Sequence, residues 1–75
     1  MTIQVKFFAS LREQVGISDT TIESASTAAE VWDSVTQQAS RPDNLLVAIN
    51  LNYAKLDSAV NDGDEVAFFP PVTGG

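Results

Sequence analysis

The sequence predicts one α+β domain in which a main helix packs on one face of a mixed β-sheet. Three observations predict this architecture. Short apolar segments near both ends alternate with a period of two, which is typical of strands with one buried face. One internal segment instead repeats its apolar residues with helical spacing. The chain has 75 residues, of which 44% are hydrophobic, so its length suits one domain with a modest core.

The first third of the chain predicts a strand, a short helix and a second strand. The first strand, over residues 2–9, has an apolar face made of Ile3, Val5 and Phe7. Phe8 interrupts the polar pattern on its other face. Ser10 is expected to cap a helix over residues 11–15, which Gly16 would end. The β-branched residues within 18–22 favour a second strand.

The main helix is predicted to begin after Thr27 and to run to about residue 39. Thr27 and Glu30 match the capping box, in which the hydroxyl accepts from the Glu N–H and the Glu side chain reaches back. Trp32 lies on the apolar stripe, so we expect it at the centre of the core rather than against a ligand. The whole stripe is expected to consist of Ala28, Val31, Trp32, Val35 and Ala39.

The chain is predicted to turn at 41–44, and its last third to form three short strands, over residues 45–49, 53–56 and 65–69. Turns are expected at 50–52 and 61–64, and Gly63 suits the positive φ of a tight turn. The acidic residues near Gly63 do not have the spacing of a calcium loop, so we interpret them as a plain turn. In the last strand, Val66 and Phe68 face one side, whereas Ala67 and Phe69 face the other.

The order of these elements satisfies a β-grasp, or ubiquitin-like, fold, with a mixed sheet of about five strands packed on one main helix. A short helix follows the first strand. In that fold the first and last strands are parallel neighbours at the centre of the sheet. We expect the domain to span residues 1–69 and an extended tail to span residues 70–75.

Composition excludes several classes of function. Ten acidic and four basic residues give a net charge of −6, which disfavours nucleic-acid binding. No apolar run is long enough for a membrane span or a signal segment, and the chain has no cysteine, so we expect a cytoplasmic protein. Without cysteine or histidine, a self-sufficient hydrolase, zinc enzyme or redox protein is not expected. The sequence predicts no metal site and no bound cofactor.

The last six residues of the sequence begin with two prolines and end with two glycines. Pro70 and Pro71 lack a backbone N–H, so they stop the hydrogen-bond ladder of the last strand and hold the chain extended. Gly74 and Gly75 have no Cβ and can pass through a narrow slot. We therefore expect the C-terminal carboxylate of Gly75 to be the reactive group. The alternative is an inert tail, which is common at chain ends.

Both ends of the sequence resemble a known family. Residues 62–75, DGDEVAFFPPVTGG, resemble the C-terminal signature of the small subunit of molybdopterin synthase, the MoaD family. Residues 5–13, VKFFASLRE, are similar to the opening strand and helix of that family. Length and element order match along the whole chain, whereas the sequence of residues 18–44 is generic.

The resemblance implies a role as a sulfur carrier that has no catalytic side chains of its own. An adenylating enzyme of the ubiquitin-activating type would use ATP and Mg to convert Gly75 to an acyl-adenylate. A sulfur donor would then leave a thiocarboxylate on Gly75. The large synthase subunit, in a heterotetramer with this chain, would receive the tail and transfer the sulfur to cyclic pyranopterin monophosphate, which forms the dithiolene of molybdopterin.

A partner-binding surface is predicted beside the tail. Phe8 and Phe69 should project from the helix-free face of two neighbouring strands, and Tyr53 is expected to join them in an apolar patch. Coverage of Phe8 or Phe69 by a loop of the same chain is the alternative. The tail residues predicted to contact the partner are Pro70, Pro71, Val72 and Thr73, with Gly74 beside the reactive Gly75.

Two related functions remain open at the level of sequence. A β-grasp carrier could supply sulfur for thiamine, cysteine or tRNA thiolation, because such carriers share the Gly-Gly ending. A ubiquitin-like modifier would instead join Gly75 to lysines of target proteins. Among these, the Phe-Phe-Pro-Pro-Val-Thr approach to the terminus favours molybdopterin.

Overall fold

The computed structural model describes residues 2–37, 40–41 and 44–70. Strands and helices follow the predicted order along the chain. They are β1 (Ile3–Phe7), α1 (Ser10–Val15), β2 (Asp19–Ile22), α2 (Ala28–Thr36), β3 (Leu46–Ile49), β4 (Asn52–Ala54) and β5 (Glu65–Phe69).

The strands form a five-stranded mixed sheet in the order β2-β1-β5-β3-β4. The first and last strands, β1 and β5, are parallel neighbours at its centre, and Val5 pairs with Val66. The pairs β1–β2, β3–β5 and β3–β4 are antiparallel. The predicted β-grasp fold is therefore confirmed.

The core lies between α2 and one face of the sheet, and Trp32 is at its centre. The Trp32 ring meets Phe7 and Phe68 edge to face, with centroids 5.9 Å and 5.3 Å away. Phe7 and Phe68 stack on each other at 5.5 Å. These three side chains are almost completely buried, as predicted for Trp32, and such aromatic pairs add about 0.5–1.5 kcal/mol each beyond burial.

The capping box at the start of α2 is present with one change. Thr27 Oγ1 accepts a hydrogen bond from the Glu30 N–H at 3.3 Å. Glu30 Oε1 accepts from the Ser26 N–H at 3.0 Å, one residue before the predicted donor. Together they satisfy two backbone donors, so the helix begins where the sequence predicts.

Helix α2 ends about one turn earlier than predicted, at Thr36. Gln37 has a left-handed conformation, with φ 58°, and its N–H bonds the Asp33 carbonyl, which closes the helix. Of the predicted apolar stripe, Ala28, Val31 and Trp32 are buried and Val35 packs against them. Ala39 lies outside the described residues, as does part of the predicted turn at 41–44.

Two further local predictions were wrong. Ser10 is the first residue of α1 rather than its cap, because Ala9 occupies the cap position with φ 54° and no side-chain hydrogen bond. Gly16 ends α1 with φ 82°, as predicted. Strand β4 stops at Ala54, because Lys55 enters a turn in which its N–H bonds Ser58 Oγ at 2.9 Å.

Candidate functional site

The candidate site lies on the face of the sheet opposite α2, which we call the outer face. Residues that pair across neighbouring strands point to the same side. The pairs Val5–Val66 and Phe7–Phe68 face the core, so the alternate pair Lys6–Ala67 faces outward. The outer face continues through the pairs Ala48–Ala67 and Ala48–Tyr53.

Phe8 and Phe69 form an aromatic stack at one end of the outer face. Their rings are almost parallel, with an interplanar angle of 6° and centroids 4.9 Å apart. The Phe8 N–H donates to the Phe68 carbonyl at 3.1 Å, which extends the pairing of the central strands past Phe7. Phe8 is 41% exposed even though it stacks on Phe69, so the described residues leave much of its ring uncovered.

A groove of about 200 Å³ extends along the outer face from this stack. Ala48 and Ala67 form its floor, because they are opposite each other in the β3–β5 pair and have small, nearly buried side chains. We call this cavity the outer groove. Its lining residues are Phe8, Ala48, Leu51, Tyr53, Glu65, Ala67 and Phe69.

Two exposed apolar side chains flank the groove at the end formed by the β3–β4 turn. Tyr53, on the edge strand, is 81% exposed and Leu51, in the turn, is 88% exposed. Large exposed apolar side chains grouped around a groove are typical of protein interfaces. The sequence predicted Tyr53 as a site residue but not Leu51.

A polar network fixes the same end of the sheet. Asn50 Nδ2 donates to Asp64 Oδ1 at 2.9 Å, and the Asn61 N–H donates to Asp64 Oδ2 at 2.9 Å. The bond from Asn50, and to a smaller extent the bond from Asn61, lower the pKa of Asp64 below its ordinary value of 3.8, because both favour the carboxylate form. Beside them, Lys6 Nζ lies 3.7 Å from Glu65 Oε1 in a partly exposed ion pair.

No group of three or more His, Cys, Asp or Glu side chains among residues 2–37, 40–41 and 44–70 could hold a metal ion. Gly63 has φ 88°, as expected for the tight turn predicted at 61–64. No helix in the described part of the chain has the length and apolar character needed to cross a membrane.

Comparison with known proteins identifies the family. The sequence model of the ThiS family matches residues 5–75. This chain belongs to the ThiS family. It is 42% identical over 80 residues to the molybdopterin synthase sulfur carrier subunit of Haemophilus influenzae, covering 97% of this chain and 99% of that protein. It is 40% identical over 80 residues to the protein of the same name from Escherichia coli (strain K12), with the same coverage.

Solved structures agree with the ThiS family assignment. The crystal structure of SAMP1 from Haloferax volcanii is similar with a TM-score of 0.80 and 27% sequence identity, and the match covers 100% of both chains. The resemblance at the two ends of the sequence is confirmed by the family match and by the two sulfur carrier subunits, whose similarity extends along nearly the whole chain.

The ThiS family match includes the tail, but most of the predicted tail site lies outside the described residues. Pro70 is half-buried and directly follows β5. Pro71, Val72, Thr73, Gly74 and Gly75 lie beyond the described part, so their predicted roles rest on sequence alone.

The structure brings together three site residues that are distant in sequence and adds groove residues that sequence reasoning missed. Phe8, Tyr53 and Phe69 meet at the outer groove, as their strand positions suggested. Ala48 and Leu51 were missed because a small strand residue and a turn leucine carry no periodic signal. The one available signal was an apolar residue between two asparagines in a predicted turn.

Proposed function

We propose that this chain is the sulfur carrier subunit of a molybdopterin synthase. One observation carries the proposal: identity of 42% and 40%, over nearly full length, to two proteins named molybdopterin synthase sulfur carrier subunit. The composition supports it, because a chain without cysteine or histidine can still carry sulfur on its terminus.

Gly75 is the proposed reactive residue. Its carboxylate has an ordinary pKa of about 3.5, so it is ionised at neutral pH and is a poor electrophile. A ubiquitin-activating-type partner consumes ATP, with Mg, to form the Gly75 acyl-adenylate and release pyrophosphate. Attack by sulfide, which the sulfur donor supplies, on the adenylate carbonyl expels AMP and leaves the thiocarboxylate. This chain holds neither ATP nor Mg in this scheme, and the partner supplies both.

The large synthase subunit is the proposed acceptor of the charged tail. Gly74 and Gly75 enter its site, where each charged chain passes one sulfur to cyclic pyranopterin monophosphate; two such transfers build the dithiolene, and water returns each Gly75 to a carboxylate. The catalytic side chains belong to the partners. ATP-dependent activation and the absence of cysteine are consistent with work in the cytoplasm.

The outer face is the proposed docking surface for that subunit. Its support is the exposure of Phe8 and Tyr53 beside Phe69, from which the chain continues directly into Pro70 and the tail. Pro71, Val72 and Thr73 would line the path into the partner. Buried aromatic anchors of this kind often dominate the energy of an interface.

Reconstitution tests the proposal. The chain is combined with the large subunit and the pyranopterin precursor, once with a Gly75 thiocarboxylate and once with an ordinary carboxylate. We expect dithiolene formation only from the thiocarboxylate, and none from a variant that lacks Gly75. Equal product from both forms, or none from either, contradicts the proposal.

A protein modifier is the second candidate, and one observation favours it. The similar SAMP1 structure belongs to a group named small archaeal modifier proteins. Intact mass spectrometry of the chain from cells distinguishes the two roles. A carrier shows one oxygen replaced by sulfur at Gly75, whereas a modifier forms conjugates of higher mass with other proteins. A carrier for another pathway would load sulfur but would not transfer it to the pyranopterin.

A further inference from the structure

Leu51 has an unusual combination of backbone conformation and exposure. It follows Asn50 in the turn between β3 and β4, and both residues have positive φ, 52° for Asn50 and 71° for Leu51. Turns of this hand favour Asn followed by Gly, because a Cβ is strained in the left-handed region. Leu51 is also 88% exposed, so its side chain gains little from packing within the chain. Folding alone therefore favours glycine at this position.

Hydrogen bonds fix the turn that carries Leu51. Asn50 Nδ2 donates to Asp64 Oδ1 at 2.9 Å, and Asn50 Oδ1 accepts from the Glu65 N–H at 2.9 Å. The Asn50 N–H also donates to the Glu65 carbonyl at 2.8 Å. The turn is thus attached to the first residue of β5, and this attachment holds Leu51 at the end of the outer groove.

The position of the tail limits where a partner can lie. Gly75 is six residues beyond Phe69, and six residues span at most about 20 Å. A partner that acts on Gly75 therefore comes within about 20 Å of Phe69, which lies at one end of the groove. From Phe69 back to Glu65, beside Leu51, is about 13 Å along the strand. An interface of ordinary size, about 800 Å² on each partner, is wide enough to reach both ends of the groove.

We infer that Leu51 is an anchor residue for the large synthase subunit and that Asn50 is its positioning residue. An apolar side chain of that subunit fills the outer groove above Ala48 and Ala67 and contacts Leu51. The inference rests on the proposed function. The large subunit is the occupant rather than the activating enzyme, because durable subunit interfaces are more apolar than transient ones and the relatives are named as subunits.

The variant Leu51→Gly tests the anchor, because it removes the side chain and suits the positive φ. We expect the Kd for the large subunit to rise about tenfold, a typical effect for loss of an interface anchor, with no fall in Tm. Leu51→Met, which restores an apolar side chain, is expected to recover most of the affinity. Calorimetric titration and thermal unfolding provide the two measurements.

The matched control is Gln37→Gly, which relieves a positive φ of 58° on the α2 side of the sheet. We expect it to bind the large subunit like the wild type. If Leu51→Gly binds the large subunit like the wild type, the inference is overturned. It is also overturned if the substitution weakens binding to the activating enzyme but not to the large subunit. If the wild-type chain does not bind the large subunit at all, the proposed function itself fails, which is a distinguishable result.

The positioning role of Asn50 is tested by a double-mutant cycle. Asn50→Gly tolerates the turn conformation but loses the side-chain bonds to Asp64 and Glu65. If Asn50 acts through Leu51, this change weakens binding in the wild-type background and has no further effect on binding in the Leu51→Gly background. Additive losses contradict the positioning role, because a general loss of stability would weaken both backgrounds alike.

Discussion

Two neighbouring aromatic pairs in this molecule have the same composition and opposite environments. Phe7 and Phe68 stack at 5.5 Å within the core, where each is at most 2% exposed. Phe8 and Phe69, each one residue further along the chain, stack at 4.9 Å on the outer face, where Phe8 is 41% exposed.

The difference follows from strand geometry rather than from residue type. Successive residues of a strand face opposite sides of the sheet. Because β1 and β5 pair in parallel with Phe7 opposite Phe68, the following residues, Phe8 and Phe69, also come together, on the other side. One pair of strands thus supplies both the centre of the core and a candidate interface, and substitutions should separate the two roles.

The largest expected effect is on the core pair. Phe68→Ala removes a fully buried ring that contacts both Phe7 and Trp32. We expect the free energy of unfolding to fall by about 3–5 kcal/mol, which is most of the stability of a small domain. Urea denaturation followed by Trp32 fluorescence measures it. A loss as small as that of Phe69→Ala would contradict the distinction between the pairs.

A substitution in the outer pair should affect binding more than stability. Phe69→Ala is expected to weaken binding to the large subunit about tenfold or more, with a much smaller loss of stability than Phe68→Ala, because Phe69 is only half-buried. Titration with the purified large subunit and urea denaturation measure the two effects. Binding equal to that of the wild type would remove the outer face from the proposed interface.

A change on the helix side should affect stability without affecting binding. Thr27→Ala removes the hydroxyl that accepts from the Glu30 N–H at the start of α2. We expect a loss of about 1 kcal/mol in unfolding free energy, and an unchanged Kd for the large subunit. If the Kd for the large subunit rises along with the loss in unfolding free energy, the two faces of the sheet are not independent.

The smallest expected effect is a pH dependence at the turn beside the groove. Hydrogen bonds lower the pKa of Asp64 in the folded chain below its ordinary value of 3.8. The stability contributed by this carboxylate is therefore fully present above the unfolded pKa and is lost as the pH falls through the folded pKa. Asp64→Asn should therefore reduce the loss of stability as the pH falls from about 6 to below the ordinary value of 3.8. Denaturation across that range, compared with the wild type, checks the sign.

Local sequence patterns determined most of the secondary structure. Thr27 and Glu30 set the start of α2 through a hydrogen-bonded cap whose partners are three residues apart. The alternation from Glu65 to Phe69 gave β5 its observed bounds. These predictions succeeded because the patterns that decide them involve residues only a few positions apart in the sequence. The cap assigned to Ser10 failed because Ala9 takes a positive φ that no local pattern indicates.

The sequence by itself determined the order of elements, the Trp32 core and, through the residues at its two ends, the family. Only the tertiary structure decided the shape of the outer groove. Its floor joins Ala48 of β3 to Ala67 of β5, and Leu51 reaches it from a turn attached to the start of β5. These residues meet because of strand register and the hand of a turn, and both depend on contacts between segments that are distant in sequence.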